Sequence, residues 1–324
     1  MSLARFLVVR LAGAIVTLLV VSMVVFAAIH NVPGGYEDVV LGPLATPELR
    51  AQTAEKYGLD QPIPVQYVKW LSAVVHGDLG TSMTSKTSVS SELARRIPAT
   101  LELVLLALAF SLLAGVPLGI AAGLSSDSRF SRATSRLAGS LTMSIPDFVL
   151  GATLVYLFSV NSWWLRVGSY VGITEDLVGN IRSMVLPAFT LGLFGVAVIM
   201  RTQRDAIRGV LTQTFITAAV ARGDAPRTII RRNVIRNSSI PLVTIVAVLI
   251  GAFISGSVIV ESLFSIPGIG VFFLNSVRNR DYAVVQAAVL LSATVFVVAN
   301  MVADALYAVL DPRVGSTSAA RGQK

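Results

Sequence analysis

Six long apolar stretches constrain the fold of this chain more than any other feature. A helix needs about 20 mainly apolar residues to cross the hydrocarbon core of a bilayer. Six stretches approach or exceed that length, and they are residues 11–29, 103–126, 137–160, 183–200, 237–260 and 282–303. Only helices and closed barrels satisfy their backbone groups in lipid, and these uninterrupted runs lack the alternation of barrel strands. The sequence therefore predicts an all-α membrane protein with six transmembrane helices.

The distribution of charge predicts the orientation of these helices. A net charge of +8 often marks nucleic-acid binding, but 54% of the residues are hydrophobic and only 14% are charged. We therefore expect the basic residues to flank membrane helices, and no nucleic acid to bind. With both termini inside, the cytoplasmic parts hold sixteen basic and four acidic residues, whereas the outer parts hold ten of each. Because cytoplasmic loops carry the excess of Lys and Arg, both termini are predicted to be cytoplasmic.

The first apolar stretch has two interpretations, a retained helix and a cleaved signal peptide. Its apolar run is longer than the usual 7–15-residue core of a signal peptide, and no clear A-x-A site follows it. We therefore expect an uncleaved helix. The absence of cysteine excludes disulfides and thiolate chemistry, and two histidines are too few for a metal site.

One large outer segment, residues 31–98, is predicted to be helical and not a flexible linker. Its capping residues and helical spacing predict helices from Pro47 to Gly58, from Pro64 to His76, and from Ser90 or Ser91 to Arg96. Pro98 is then expected to begin the second transmembrane helix. Two interpretations stay open, an amphipathic lid lying on the membrane and a platform for a soluble partner outside the cell.

Four acidic residues lie within or at the ends of the apolar stretches. Acidic groups at membrane depth are costly and are often functional, so Asp147 is a candidate for the translocation path. Alternatively, Asp147 lies near the inner end and caps the helix after Pro146. Glu261 and Asp304 are expected to form structural pairs, and Glu102 is expected to be solvated. After Glu261, the glycines of residues 265–270 predict a tight re-entrant turn.

The inner segment 201–240 carries eight arginines and no lysine, which is more positive charge than topology requires. Residues 215–220 predict a short helix of small and apolar residues, and Gly223 is expected to end it. Asp224-Ala225-Pro226 is expected to cap a second helix that carries four of the eight arginines, Arg227, Arg231, Arg232 and Arg236. Such a corner between two helices can dock into a groove on a cytoplasmic partner. The alternative is that the arginines bind anionic lipid headgroups.

The corner resembles a known sequence motif. Thr217-Ala218-Ala219 and Gly223, followed later by Ile240-Pro241, resemble the EAA loop of permease subunits of ABC importers. The resemblance is closest to the peptide/nickel branch, in particular the B-type subunit of dipeptide and oligopeptide permeases. Further segments match that branch in order along nearly the whole chain, and they include residues 58–62, 76–82, 96–103, 144–148, 267–270, 280–282, 285–286 and 310–313. Two departures are Thr217 at the glutamate position and an apolar residue where the branch usually has an arginine.

The resemblance implies a type I ABC importer permease fold and a non-catalytic subunit of the bacterial inner membrane. Residues 1–98 would form the first helix and an extracytoplasmic lid, residues 99–312 a core of five membrane helices with the coupling loop at about 201–240, and residues 313–324 a cytoplasmic tail. The expected partners are a second homologous permease, two cytoplasmic ATPase subunits, an extracytoplasmic binding protein and membrane lipids. This chain would bind no cofactor or metal, since the ATPases would use ATP and Mg²⁺; in agreement, it has no Walker A pattern.

The resemblance also assigns roles to the residues of the loop. The residues expected to couple transport to the ATPases are Phe215, Thr217, Ala218, Ala219, Arg222, Gly223, Arg227 and Arg231. Peptides are the expected substrate, while relatives carry nickel chelates, haem and glutathione-like compounds. Two rival classes are a secondary transporter that works alone and a membrane receptor that binds a ligand through residues 31–98.

Overall fold

The computed structural model describes residues 3–31, 46–57, 60–125, 129, 133, 146–160 and 164–310. The described elements are helices, apart from one isolated β-bridge between Thr81 and Ser88. In chain order they are α1 (Leu3–His30), α2 (Pro47–Tyr57), α3 (Ile63–Val75), α4 (Val89–Leu124), α5 (Asp147–Val160), α6 (Leu177–Leu211), α7 (Thr214–Ala221), α8 (226–238), α9 (Ile240–Phe264), α10 (Ile269–Arg278) and α11 (Tyr282–Leu310). Helix α8 starts as a short α-helical turn, is π-helical over Ile229–Ile235, and ends as a second short turn.

Within the described residues, five helices are long and apolar enough to cross a membrane, namely α1, α4, α6, α9 and α11. They correspond to five of the six predicted stretches. The third stretch is described only in its second half, as the 14-residue helix α5, and residues 137–145 lie outside the described part of the chain. The all-helical class is therefore confirmed, while the number of six spans and the orientation of the termini stay predictions.

The centre of the fold is the long contact between α4 and α6. Gly115, Gly119 and Gly123 recur every four residues along the buried side of α4. An added Cβ at these three positions would lie 2.9, 2.7 and 2.8 Å from the Cβ atoms of side chains on α6. Small residues at this spacing let two membrane helices approach until their backbones nearly touch. Helix α9 packs against this pair, and its buried Phe253 belongs to the same apolar core.

The predicted limits of α4 and α6 differ from those in the structure. Helix α4 begins at Val89, after Ser88, and continues through both Pro98 and Pro117. The predicted start of a new helix at Pro98 was therefore wrong. Proline removes one backbone hydrogen bond, and membrane helices tolerate this loss when neighbouring helices pack against them. Helix α6 likewise extends beyond the predicted 183–200 at both ends. Apolarity marks only the part of a helix that lies in lipid, so it underestimates helices that continue into water.

Helix α3 packs against the C-terminal end of α1. Phe26 stacks on His30 with ring centroids 4.0 Å apart, and it also contacts the rings of Tyr67 and Trp70 on α3. The hydroxyls of Ser22 and Tyr67 are 2.8 Å apart. The predicted bounds of α2 and α3 agree with the structure to within one or two residues, although the predicted stop at Gly58 lies outside the described residues. Helix α3 is thus held against α1 by an aromatic cluster.

Candidate functional site

Helix α7 has one buried and one exposed face. Ile216 and Ala219 are buried, in a cluster with Ile207 of α6 and with two side chains of α8. The other residues of the predicted helix point outward. Phe215 is 42% exposed and Val220 is 61% exposed, and Thr217 and Ala218 are exposed between them. An apolar face of this kind, open at the tip of a corner, is suited to contact another protein.

The turn after α7 is closed by a glycine in the left-handed conformation. Gly223 has a φ of +75°, its N–H donates to the carbonyl of Val220 at 2.9 Å, and the N–H of Asp224 donates to the carbonyl of Ala219 at 3.2 Å. This pair of hydrogen bonds is the Schellman arrangement that commonly ends a helix. No atom lies within 4 Å of an added Cβ, so glycine is required by its backbone conformation and not by a lack of space.

The predicted start of α8 is only partly correct. Ala225 is the N-cap and Pro226 is the first residue, as the proline predicted, but no side chain caps the helix. The carboxylate of Asp224 instead accepts a hydrogen bond of 2.9 Å from the guanidinium of Arg222. Asp224 is therefore used to pair with Arg222 across the turn.

The π-helical winding of α8 separates its apolar and basic residues. A π-helix bonds residue i to i+5, so residues four and five positions apart share a face. Ile229, Val234 and Ser238 have this spacing and are buried. Arg227, Arg231 and Arg236 have it as well, and all three are exposed. The exposed face of the corner is consequently both apolar, from α7, and strongly basic, from α8.

Asp147 belongs to a different helix, α5. It is the first residue of α5, directly after Pro146, and it is half-buried. A carboxylate in the first turn of a helix is stabilised by the partial positive charge of that terminus. The position agrees with the interpretation of Asp147 as a residue at the start of a helix, and its part in a translocation path stays a prediction.

A buried carboxylate holds the turn between α9 and α10. Glu261 has no exposed surface; it accepts a hydrogen bond of 2.7 Å from the hydroxyl of Thr100 on α4 and one of 3.1 Å from the N–H of Val271. The same hydroxyl accepts from the N–H of Ile269 at 2.9 Å. An added Cβ on Gly270 would lie 2.6 Å from the Cα of Val258. Both the tight turn and the structural role expected for Glu261 agree with this arrangement.

A second buried carboxylate fixes the loop before α4. Asp281 is 2% exposed and accepts hydrogen bonds from the hydroxyl of Ser82 at 2.5 Å and from the N–H groups of Met83 and Thr84, each at 3.2 Å. We call residues 77–88, which include these donors and the exposed Lys86, the clamp loop. Two segments that were matched only as separate motifs thus form one contact, some 200 positions apart in sequence.

The sequence predicts that Glu102 is solvated and that Asp304 forms a structural pair with another side chain. Glu102 is half-buried and accepts hydrogen bonds from Asn180 Nδ2 at 2.5 Å and from the Tyr170 hydroxyl at 3.0 Å, so the expectation of solvation was wrong. Burial, followed by the hydrogen bond to Glu102, raises the pKa of Tyr170 to about 12. The side chain of Asp304 lies outside the described part of the chain.

A cavity of about 310 Å³ lies between α4, α9, α10 and α11, beside the Thr100–Glu261 contact. Its walls are mainly apolar, with the hydroxyls of Ser255, Ser257 and Ser292 among them. The sequence does not predict this cavity, because it forms only where α4 packs against three helices that come much later in the chain, α9, α10 and α11. The close packing of α4 on α6 was not predicted either, although small residues every four positions along α4 are a signal of such packing.

Comparisons with known proteins agree with the resemblance. A family model described as "Binding-protein-dependent transport system inner membrane component" matches residues 115–316, and a model of the N-terminal part of such membrane components matches residues 3–104. The glutathione transport system permease protein GsiC of Salmonella paratyphi A is 36% identical over 309 residues, covering 94% of this chain and 97% of the relative. The oligopeptide transport system permease protein AppB of Bacillus subtilis is 34% identical over 317 residues, covering 96% and 99%.

A solved structure shows the same fold. The chain is similar to one in the inward-facing structure of the MetNI methionine ABC transporter, with a TM-score of 0.55 and 16% identity. The match covers 68% of this chain and 96% of the other. At this identity the similarity concerns the fold alone.

Proposed function

The chain belongs to the family of inner membrane components of binding-protein-dependent transport systems, and from this premise we propose that it is the permease subunit of a peptide importer. The observation that carries the proposal is the match to oligopeptide and glutathione permeases over nearly the full length of both chains. Peptides and glutathione share amide bonds and terminal charges. Short peptides are therefore the substrate class that we assign, with glutathione as the alternative.

The proposal includes the subunits expected from the sequence. Two ATPase subunits in the cytoplasm would bind ATP and Mg²⁺, a second permease would complete the path, and a binding protein outside would deliver the substrate. The chain itself would hold no cofactor and would hydrolyse no ATP. Six membrane helices with cytoplasmic termini, and the division at residues 98 and 312, belong to the same proposal.

We place the ATPase contact on the exposed face of α7 and the corner that follows it. Phe215, Thr217, Ala218 and Val220 are available there, whereas Ala219 supports the helix from inside the chain. The arginines at 222, 227 and 231 surround this face and would attract acidic groups on the ATPase. In this arrangement the apolar side chains supply contact area, and the charges set the orientation of docking.

Movement of α7 would be passed to the membrane helices through its buried face. Ile216 and Ala219 pack against α6 and α8, and α8 leads directly into α9. An ATPase that contacts α7 differently in its open and closed states would shift the equilibrium between two arrangements of these helices, as an alternating-access mechanism requires.

The coupling role of the corner is tested with two substitutions of Gly223. Gly223→Val forces a β-branched residue into a φ of +75°, whereas Gly223→Asn is the matched control because Asn tolerates this conformation best among non-glycine residues. The complete complex is reconstituted in liposomes, and ATP hydrolysis and uptake of labelled Ala-Ala-Ala are measured together. We expect Gly223→Val to lose uptake per ATP hydrolysed and Gly223→Asn to retain most of it. Equal uptake per ATP in both variants would contradict the proposed coupling site.

The class of protein is tested by purification and by ligand binding. Copurification with two ATPases and a second permease supports the importer, while a chain that is isolated alone and transports alone supports a secondary transporter. The substrate class is tested by calorimetric titration of the binding protein with Ala-Ala-Ala and with glutathione. Binding of neither would contradict the assignment of peptide-like substrates.

A further inference from the structure

A polar side chain is buried at the point where α4, α6 and α8 meet. Gln203 on α6 has no exposed surface, and Gly119 of α4 lies directly against it. Its Nε2 donates a hydrogen bond of 3.0 Å to the hydroxyl of Ser238 at the end of α8. No described group donates to its Oε1. A buried amide with one satisfied and one unsatisfied end is unusual and needs an explanation.

The hydroxyl of Ser238 continues the hydrogen bond into the backbone of α8. It donates to the carbonyl of Ile235 at 3.1 Å, and Ile235 is the last residue of the π-helical stretch. Neighbouring Ser239 donates to the same carbonyl at 2.7 Å. Because a hydroxyl has a single proton, Ser238 accepts from Gln203 and donates to Ile235. The chain of contacts thus runs from α6 to the end of the π-helical winding.

That winding determines how Ser238 is aligned with the apolar residues at the start of α8. Ser238 lies four positions after Val234, a spacing that shares a face in an α-helix as well, whereas Ile229 and Val234 are five positions apart and share a face because the stretch between them is π-helical. In ordinary α-helical winding, residues five apart diverge. Rewinding of this stretch would therefore turn Ser238 relative to Ile229. Ile229 and Val234 in turn pack in the same cluster as Ile216 and Ala219 of α7.

We propose that Gln203 is a positioning residue that passes movement of α7 to α6 through its hydrogen bond to Ser238. The inference rests on the proposed function, since it requires α7 to be the contact with the ATPase. A shift of α7 moves the buried face of α8, and Ser238 moves with it. Gln203 then keeps α6 in register with α8. The unsatisfied Oε1 leaves Gln203 able to accept a hydrogen bond from a donor that a different arrangement of these helices would bring near.

The test uses the complete complex in liposomes. ATP hydrolysis is measured with and without the binding protein, which is saturated with peptides from a tryptic digest of casein, and the ratio of the two rates is the stimulation. The variants are Gln203→Leu, Ser238→Ala and the double variant. Ser239→Ala is the matched control, because Ser239 bonds the same carbonyl but does not reach Gln203. Each single variant is expected to lower the stimulation by the binding protein about two- to tenfold, the range that one lost hydrogen bond supplies. The double variant should fall no further than the single ones, since both remove one contact.

Three outcomes are decisive. Stimulation by the binding protein that is the same in Gln203→Leu, Ser238→Ala and Ser239→Ala would overturn the inference and leave the proposed function intact. A wild-type complex that shows no stimulation at all would overturn the proposed function and the inference with it. A loss of stimulation in the double variant at an unchanged melting temperature supports a positioning role, because the double variant leaves no buried donor of this pair unpaired and loss of packing alone would lower both.

Discussion

The contact between α4 and α6 leads to a quantitative prediction for Gly119→Ala. The added methyl would lie 2.7 Å from Gln203 Cβ and 2.8 Å from the carbonyl oxygen of Met200, whereas carbon atoms in good contact are about 3.5–4.0 Å apart. Both neighbours belong to the rigid part of α6, so the two helices must separate by roughly 1 Å, a gap that forfeits a quarter to a half of each contact's dispersion energy.

Overpacking of a tight core costs about 1–3 kcal/mol, and the greater helix propensity of alanine returns about 0.5–1 kcal/mol. We therefore expect Gly119→Ala to lower the free energy of unfolding by about 1–2 kcal/mol. The measurement is the melting temperature of the purified complex in detergent.

The matched control is Gly209→Ala, near the end of α6. No atom lies within 4 Å of an added Cβ there, so only the helix propensity changes, and the protein should be as stable as wild type or slightly more stable. If Gly119→Ala melts at the same temperature as Gly209→Ala, the close approach of α4 and α6 is refuted.

Three further predictions concern polar contacts made to the N-terminal half of α4 and to the clamp loop before it. Asp281→Ala should free the clamp loop, so that trypsin cuts after Lys86 at least about tenfold faster, because hydrogen bonds to charged groups contribute about 1.5–3 kcal/mol. The control is Asp78→Ala, which removes a single exposed contact and should leave the rate of cleavage unchanged. Glu261→Ala should lower the melting temperature of the complex, since it leaves buried donors unpaired at about 1–3 kcal/mol each, and a complex of unchanged stability would contradict the role of this carboxylate. With its pKa raised to about 12, Tyr170 should contribute stability that is complete below pH 10 and is lost as the pH rises through 12. A Tyr170→Phe variant with the same alkaline unfolding curve as wild type would show that this tyrosine has no such effect.

The corner at Gly223 shows why local structure was predictable. The end of α7 depends on Gly223 in the left-handed conformation, and the start of α8 depends on Pro226. Each preference acts within one turn, among residues only a few positions apart. The error at Asp224 is of a different kind. Its side chain had two partners within reach, the free N–H groups of α8 and the guanidinium of Arg222, and the sequence does not say which is closer.

The buried polar contacts were beyond prediction for a related reason. Glu261 and Thr100 are separated by 161 positions, Asp281 and Ser82 by 199, and Ser238 and Gln203 by 35. Each pair meets only because α4, α6, α9 and α11 are already packed together. The expectation that Glu102 is solvated failed in the same way, since its partners Tyr170 and Asn180 come from another part of the chain.

The sequence by itself determined that this chain is helical and membrane-bound and where most of its helices lie, because length, apolarity and capping act over a few turns of helix. Its motifs, taken in order, also determined the family. Tertiary structure decided the π-helical winding of α8, the buried position of Ala219, the hydrogen bond from Gln203 and the contacts of the buried Glu261 and Asp281. They depend on which faces of distant helices come together, as where the α4 glycines pack against α6.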